Sequence, residues 1–130
     1  MIDHLGFAVK DLAASKAFYV QALAPLGYGV IMEFPGVVGL GAGGKPDFWL
    51  SEGAPVTGLH IAFASADRKT VDAFHAAAIT AGGRDNGKPG LRPQYHPHYY
   101  AAFVIGPDGH NIEAVCRSHR HPTTRHGEST

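Results

Sequence analysis

The stretch GPDGHNIEAV, residues 106–115, combines a strong turn signal with a strand that carries one carboxylate. Proline fixes its own backbone angle and glycine accepts positive φ, so Pro107-Asp108-Gly109 predicts a hairpin between two strands. Because side chains alternate along a strand, Glu113 points to the face opposite Ile112 and Ala114. If those two residues belong to the core, Glu113 lies either on a solvated sheet face or in a polar site.

An internal repeat indicates that the chain consists of two related halves. A shift of 56 positions superposes seven identical residues in one ungapped register. The matched pairs are His4 and His60, Phe7 and Phe63, Ala8 and Ala64, Asp11 and Asp67, Ala17 and Ala73, Phe18 and Phe74, and Gly27 and Gly83. After loops of different length, a shift of 64 places Trp49 on Glu113. Such self-similarity predicts a duplicated structural unit, with tryptophan in one copy where the other has its carboxylate.

Each half has the pattern of a strand, a helix and three further strands. Ile2 to Val9 alternates bulky and small residues, and Asp11 is the predicted N-cap of a helix ending near Leu23. Asp67 is the corresponding cap before a helical pattern over residues 70–81. We therefore predict an α+β domain over residues 1–116, built from βαβββ modules at 1–54 and 55–116.

The eight strands are expected to form a curved, incomplete barrel around a cleft, with the helices outside. The helices would pack on the bulky strand faces through Phe18 and Leu23 in one module and Phe74 and Ile79 in the other. The opposite, small-residue faces carry His4 and His60, and we expect them to face each other across the cleft.

Composition favours one compact domain that acts on a small molecule. The 130 residues are 45% hydrophobic, and the formal net charge is zero. Neither value favours nucleic acid or an anionic membrane surface as a partner. No leader or membrane-span pattern is present, and the single cysteine, Cys116, cannot form an intramolecular disulfide. We therefore predict a cytoplasmic protein in which Cys116 is a buried structural thiol.

Two imidazoles and one carboxylate on matching faces form a typical set of metal ligands. His4, His60 and Glu113 together match the facial arrangement that holds a divalent ion and leaves coordination positions open. Open positions characterise catalytic rather than structural sites, and a substrate with adjacent oxygens would chelate best. Iron, manganese, nickel, cobalt and zinc are all compatible with this ligand set.

Several other side chains are candidates for the site. Tyr100 shares the face of Glu113 if Ile105 pairs with His110, and it would then serve as an acid–base residue or as an aromatic wall. Trp49 would stack on a flat substrate or fill the vacant ligand position. The proline-rich loop before Tyr100 would determine specificity or form plain surface, and it contains Arg92, Tyr95, His96 and His98.

These motifs resemble those of the vicinal oxygen chelate superfamily, which includes glyoxalase I, extradiol dioxygenases, fosfomycin-resistance transferases and bleomycin-resistance proteins. The resemblance extends from residue 3 to about Cys116. It rests on Asp3-His4-Leu5-Gly6-Phe7-Ala8-Val9, Ala17-Phe18-Tyr19, Gly58-Leu59-His60-Ile61-Ala62-Phe63 and Asp108-Gly109-His110-Asn111-Ile112-Glu113.

The resemblance implies paired βαβββ modules, frequently a homodimer with shared sites, and one divalent metal ion at His4, His60 and Glu113. It implies a metal-dependent lyase, dioxygenase or transferase. The alternative is metal-free sequestration of a small molecule, as in the bleomycin-resistance branch. Trp49 departs from glyoxalase I, which has a glutamate ligand there, and the remaining three ligands resemble those of extradiol dioxygenases and fosfomycin transferases.

Residues 117–130 are polar and contain three histidines and three arginines. This composition predicts a disordered tail. A histidine-rich tract also binds metal ions, so the tail has to be controlled for in any metal analysis.

Overall fold

The computed structural model describes residues 1–118, which form two α-helices, two short 3₁₀ helices and eight strands. The first module contains β1 (Leu5–Val9), α1 (Leu12–Leu23), β2 (Gly29–Phe34), β3 (Val37–Ala42) and β4 (Lys45–Glu52). The second contains β5 (His60–Ala64), α2 (Arg68–Thr80), β6 (Arg84–Leu91), β7 (Tyr100–Ile105) and β8 (Asn111–Cys116). The predicted tail lies outside the described residues, apart from Arg117 and Ser118.

Each module forms its own four-stranded sheet, and the two sheets have the same strand order. The orders are β1-β4-β3-β2 and β5-β8-β7-β6, with the first strand of each module parallel to its last strand. This arrangement confirms the α+β class, the two βαβββ modules and the open, incomplete barrel. Within residues 1–118, no helix has both the length and the apolar character needed to cross a membrane.

Both helices begin at the predicted aspartate caps. The Asp11 carboxylate accepts a hydrogen bond from the Ala14 backbone N–H at 3.0 Å, and Asp67 accepts one from Thr70 at 2.8 Å. These bonds satisfy backbone donors that have no partner within the first helical turn.

One core joins the two modules. Phe18, Leu23 and Phe74 are buried in it as predicted, whereas Ile79 is 38% exposed. The prediction for Ile79 is wrong because Ala78, four residues after Phe74, continues the inward stripe of α2 and is fully buried. The Phe48 and Phe63 rings, from the bulky faces of the two sheets, meet edge to face at 5.4 Å. The small-residue face of each sheet therefore points away from this shared core.

The strand register confirms the equivalence inferred from the repeat. Trp49 lies opposite Gly6 in the first sheet, and Glu113 lies opposite Ala62 in the second. These pairs are related by the same shifts of 56 and 64 positions that superpose the sequences. Trp49 and Glu113 therefore occupy equivalent positions on the outward faces of their modules.

His110 connects the second module to the first. It is fully buried, its Nδ1 accepts a hydrogen bond from the Leu59 backbone N–H at 3.1 Å, and its ring contacts Phe7 with centroids 4.9 Å apart. Burial lowers the pKa of His110 below its usual range. Cys116 is also fully buried, as predicted.

Candidate functional site

Glu113 lies at the centre of the second sheet, on the face that points away from the core. Its neighbours in the flanking strands are Ala62 of β5 and Phe103 of β7. The Glu113 side chain is nevertheless only 1% exposed. A buried carboxylate needs hydrogen-bond partners, so the alternative of a solvated sheet face does not apply to this residue.

Two side chains satisfy the Glu113 carboxylate, one at each oxygen. Oε1 lies 2.8 Å from His60 Nε2, and Oε2 accepts a hydrogen bond from the Tyr99 hydroxyl at 2.5 Å. The His60 side chain is 55% exposed, so it forms the open side of the cluster. Burial and the hydrogen bond to Glu113 raise the pKa of Tyr99 to about 12, so this phenol keeps its proton at neutral pH.

Sequence reasoning selected the wrong member of the tyrosine pair. Ile105 pairs with Asn111 rather than His110, which places Tyr100 on the core side, where its hydroxyl donates to Asp72 at 2.6 Å. A shift of one residue in register reverses which face every side chain occupies. The predicted position of Tyr100 beside Glu113 is therefore wrong, and the preceding Tyr99 takes that place.

A pocket of about 380 Å³ opens over the Glu113 cluster. It is lined by His60, Tyr95, Tyr99, Phe103, Glu113 and Arg117. Of the loop residues singled out in the sequence, Tyr95 reaches the pocket and packs edge to face on Tyr99, with ring centroids 5.2 Å apart.

Arg92 supports this pocket from behind. Its guanidinium lies 5.3 Å from the Phe103 ring centroid and donates hydrogen bonds to the Gly90 and Lys88 carbonyls. His96 and His98 pack against each other at 5.8 Å and are not among the lining residues.

His4 lies in a separate hollow, on the outward face of the first module. This hollow of about 400 Å³ is lined by His4, Gly6, Phe7, Val37, Trp49 and Ser51. His4 is exposed, and its Nδ1 lies 2.8 Å from the Asp3 carboxylate. The structure therefore brings His60 and Glu113 together but leaves His4 apart from them within one chain.

Trp49 forms the floor of this second hollow. It lies between Gly6 and Gly39 in the register, and a Cβ atom at Gly39 would come within 2.8 Å of the indole Cη2 and Cζ3. The absence of a side chain at Gly39 therefore lets the indole lie across the strand.

The donor atoms of His60 and Glu113 fit two adjacent positions on one metal ion. Ligands at about 2.1 Å and a right angle have donor atoms about 3.0 Å apart, which is close to the 2.8 Å between His60 Nε2 and Glu113 Oε1. Within residues 1–118 no third protein ligand lies beside this pair, since no group of three histidine, cysteine, aspartate or glutamate side chains is placed there to hold a metal.

Comparisons with known proteins identify the family. A sequence profile of the Glyoxalase/Bleomycin resistance protein/Dioxygenase superfamily matches residues 1–114. No match was found among curated proteins. A glyoxalase/bleomycin resistance protein from Albidiferax ferrireducens T118 has a similar structure, with a TM-score of 0.76 and 30% identity, over 89% of this chain and 98% of that chain.

Two more distant structures share the fold. One is a glyoxalase/bleomycin resistance protein/dioxygenase family enzyme from Burkholderia phytofirmans PsJN, with 18% identity, a TM-score of 0.71, and coverage of 90% of this chain and 98% of that chain. The other is a lactoylglutathione lyase from Agrobacterium tumefaciens, with 20% identity, a TM-score of 0.65, and coverage of 89% and 92%. From the profile match and the paired modules, we conclude that the chain belongs to the Glyoxalase/Bleomycin resistance protein/Dioxygenase superfamily.

Proposed function

We propose that this protein is a metal-dependent enzyme of the glyoxalase/dioxygenase type, acting on a small molecule that chelates the metal through adjacent oxygens. His60 and Glu113 of one chain would supply two ligands, and His4 of a second copy would supply the third. The observation that carries this proposal is the His60–Glu113 pair, with donor atoms 2.8 Å apart at the base of an aromatic pocket.

Pairing of two copies in a homodimer would complete the site. His4 and His60 occupy equivalent positions in the repeat, but their hollows are separate within one chain. The outward faces around them carry small residues, which allow close approach of another chain. Met32 and Phe34 on the edge strand of the first sheet are 46% and 55% exposed, which favours their burial in an interface.

The metal and the side chains that line the pocket would have different roles in the reaction. A bound divalent ion supplies Lewis acidity toward two adjacent oxygens of the substrate. Tyr99 holds Glu113 Oε2 and thereby leaves Oε1 directed toward His60. The Tyr99 phenol keeps its proton at neutral pH and donates a hydrogen bond to Glu113, while Phe103 and Tyr95 restrict the access of water to the pocket.

Trp49 narrows the class of reaction that we propose. It occupies the position at which glyoxalase I has a further carboxylate ligand, so a reaction that relies on that carboxylate as a base is disfavoured. We therefore favour chemistry that needs only three protein ligands, as in dioxygenases and transferases, over a lyase of the glyoxalase I type. The buried Cys116 thiol is in keeping with the cytoplasmic location that we infer.

Metal analysis of the full-length protein tests the proposal. His119, His121 and His126 are first replaced by glutamine, so that the tail binds no metal. We expect about one divalent ion per site, and its loss in His4→Gln, His60→Gln and Glu113→Gln. His75→Gln is the control, because His75 pairs with Asp85 outside the pocket. Near-zero metal in the parent protein would refute the enzyme proposal.

Mixing of variants tests the shared site. A heterodimer of His4→Gln and His60→Gln has one site that lacks both histidines and one site that is intact. Random pairing of the two variants should therefore recover about one quarter of the parent metal content. Recovery of none would place all three ligands of a site in one chain.

Metal-free binding of a small molecule is the second candidate function. The observation that favours it is that both Glu113 oxygens already have side-chain partners, His60 and Tyr99, so the buried carboxylate does not need a metal ion. A protein that purifies without metal and still binds a ligand in the aromatic pocket would support this function.

A further inference from the structure

Arg117 places a positive charge in the wall of the Glu113 pocket. The guanidinium carbon lies 4.9 Å from the centroid of the Tyr99 ring. Tyr100 pairs with Cys116 in the β7–β8 register, so the residues just beyond that pair, Tyr99 and Arg117, are neighbours. A guanidinium stacked on an aromatic ring is oriented by the ring and keeps its N–H donors available at its edges.

No acid within residues 1–118 forms an ion pair with this charge. The carboxylate of the pocket, Glu113, already accepts from Tyr99 and contacts His60. Arg92 differs in this respect, because both of its terminal nitrogens donate to backbone carbonyls. Arg117 is therefore a cation beside the candidate metal ligands, and among the described residues no acceptor takes a hydrogen bond from its guanidinium, which leaves these donors for a bound molecule.

The second half of the proposed site adds no compensating acid. Trp49 stands where the repeat would allow a carboxylate, and Asp3, beside His4, forms an ion pair with Lys45 at 2.6 Å. One metal-bound carboxylate leaves a divalent ion with a net positive charge, and Arg117 adds another. A site with this charge, walled by aromatic rings, is complementary to an anion with an apolar body.

We propose that the pocket selects small organic anions with an aromatic or otherwise planar body, and that Arg117 is the residue that binds their carboxylate or comparable oxyanion. This inference rests on the proposed function, since the adjacent oxygens of the same molecule would reach the His60–Glu113 end. Arginine suits the role better than lysine, because its planar fork makes two parallel hydrogen bonds to a carboxylate. Specificity would then come from the charge in the pocket wall and from the aromatic rings that line the pocket, those of Tyr95, Tyr99 and Phe103.

The test compares an anion with its neutral isostere in the full-length, manganese-loaded protein. The probes are 3,4-dihydroxybenzoate and 3,4-dihydroxybenzamide, which share the ring and the two adjacent hydroxyl groups that would face the metal, and binding is followed by calorimetry in the absence of oxygen. We expect the benzoate to bind about tenfold to a hundredfold more tightly, the range of a charge-assisted bidentate contact. Arg117→Gln should reduce this ratio to near one and leave binding of the benzamide unchanged, and Arg117→Lys should keep part of it.

Arg84→Gln is the matched control, because it removes one exposed positive charge at the start of β6, away from the pocket lining, and should keep the full ratio. Equal binding of the two probes by the wild type, binding of neither, or an undiminished ratio in Arg117→Gln would overturn the inference. Metal content is measured on the same samples. If the protein holds no metal but still prefers the anionic probe through Arg117, the proposed function is refuted and this inference stands. If the protein holds metal but shows no Arg117-dependent preference for the anionic probe, this inference is refuted and the proposed function stands.

Discussion

Tyr99→Phe should destabilise the protein by leaving one oxygen of a buried carboxylate without its partner. The Tyr99 hydroxyl donates to Glu113 Oε2 at 2.5 Å, and the Glu113 side chain is 1% exposed, so water has little access to that oxygen. A lost hydrogen bond to a charged group costs about 2 kcal/mol. At about 3–5 °C per kcal/mol for a chain of this length, Tm should fall by about 6–10 °C.

Urea unfolding followed by circular dichroism measures this loss, at one fixed protein concentration because pairing of chains would add to stability. Tyr95→Phe is the matched control. Tyr95 lines the same pocket, but it is 64% exposed and its hydroxyl makes no hydrogen bond within residues 1–118. We expect its effect to stay within about 0.5 kcal/mol. A Tyr99→Phe protein as stable as this control would show that Glu113 Oε2 does not depend on Tyr99.

The same variant separates a structural role of Tyr99 from a role in metal binding. A partner that orients a ligand typically contributes about tenfold to a hundredfold to metal affinity. We therefore expect Tyr99→Phe to bind the metal more weakly by that factor. Unchanged affinity would mean that His60 alone orients Glu113 Oε1.

Three further predictions concern residues around the site. Gly39→Ala should push the indole of Trp49 aside, because the new Cβ would lie 2.8 Å from it, and the emission of this single tryptophan should shift to the red. Burial lowers the pKa of His110, so the unfolded state takes up more protons as the pH falls through about 6.5, and stability decreases; in His110→Asn, urea unfolding at about pH 7.5 and 5.5 should show a smaller decrease. Tyr100→Phe removes a hydrogen bond outside the pocket, so equilibrium dialysis should find metal affinity unchanged, whereas Glu113→Gln should lose it.

The repeat allowed the topology and the equivalence of Trp49 and Glu113 to be predicted. His4, Phe7 and Asp11 have the same spacing in the sequence as their counterparts 56 positions later. An insertion inside β1 or α1 would break this register, so the matching positions indicate that the two modules have the same order of elements. The alternation of bulky and small residues in β1 and β5 also identified the core face of each sheet correctly. These signals are local, and the strand and helix periods determine them.

The side of β7 on which each tyrosine lies could not be predicted, because it depends on the exact length of one turn. Asp108 adopts φ 61° and Gly109 φ 80°, and the Gly106 backbone N–H donates to the His110 carbonyl at 2.9 Å. The loop thus contains three residues rather than four. Turn residues indicate a hairpin but do not determine its register. The sequence therefore could not show whether Tyr99 or Tyr100 shares the sheet face of Glu113.

The separation of His4 from His60 has a different cause. Their placement on matching faces follows from the repeat, but how two modules pack depends on the summed contacts of a whole core. Phe48 meets Phe63, and His110 meets Phe7, so the bulky faces share one interior within a chain. No periodicity in the sequence encodes that choice.

The position of β8 in its sheet determines when the pocket is completed during synthesis. β8 is the last of the described strands, yet it lies between β5 and β7 and pairs with residues about fifty positions earlier. β4 is synthesised before any strand of the second module, so the first sheet can form early. In the second sheet, β5 cannot be joined to β7 until β8 (Asn111–Cys116) has been synthesised, because β8 lies between them. The strand that carries Glu113 is thus the strand that completes the second sheet, so the carboxylate is buried in the same step that closes the fold.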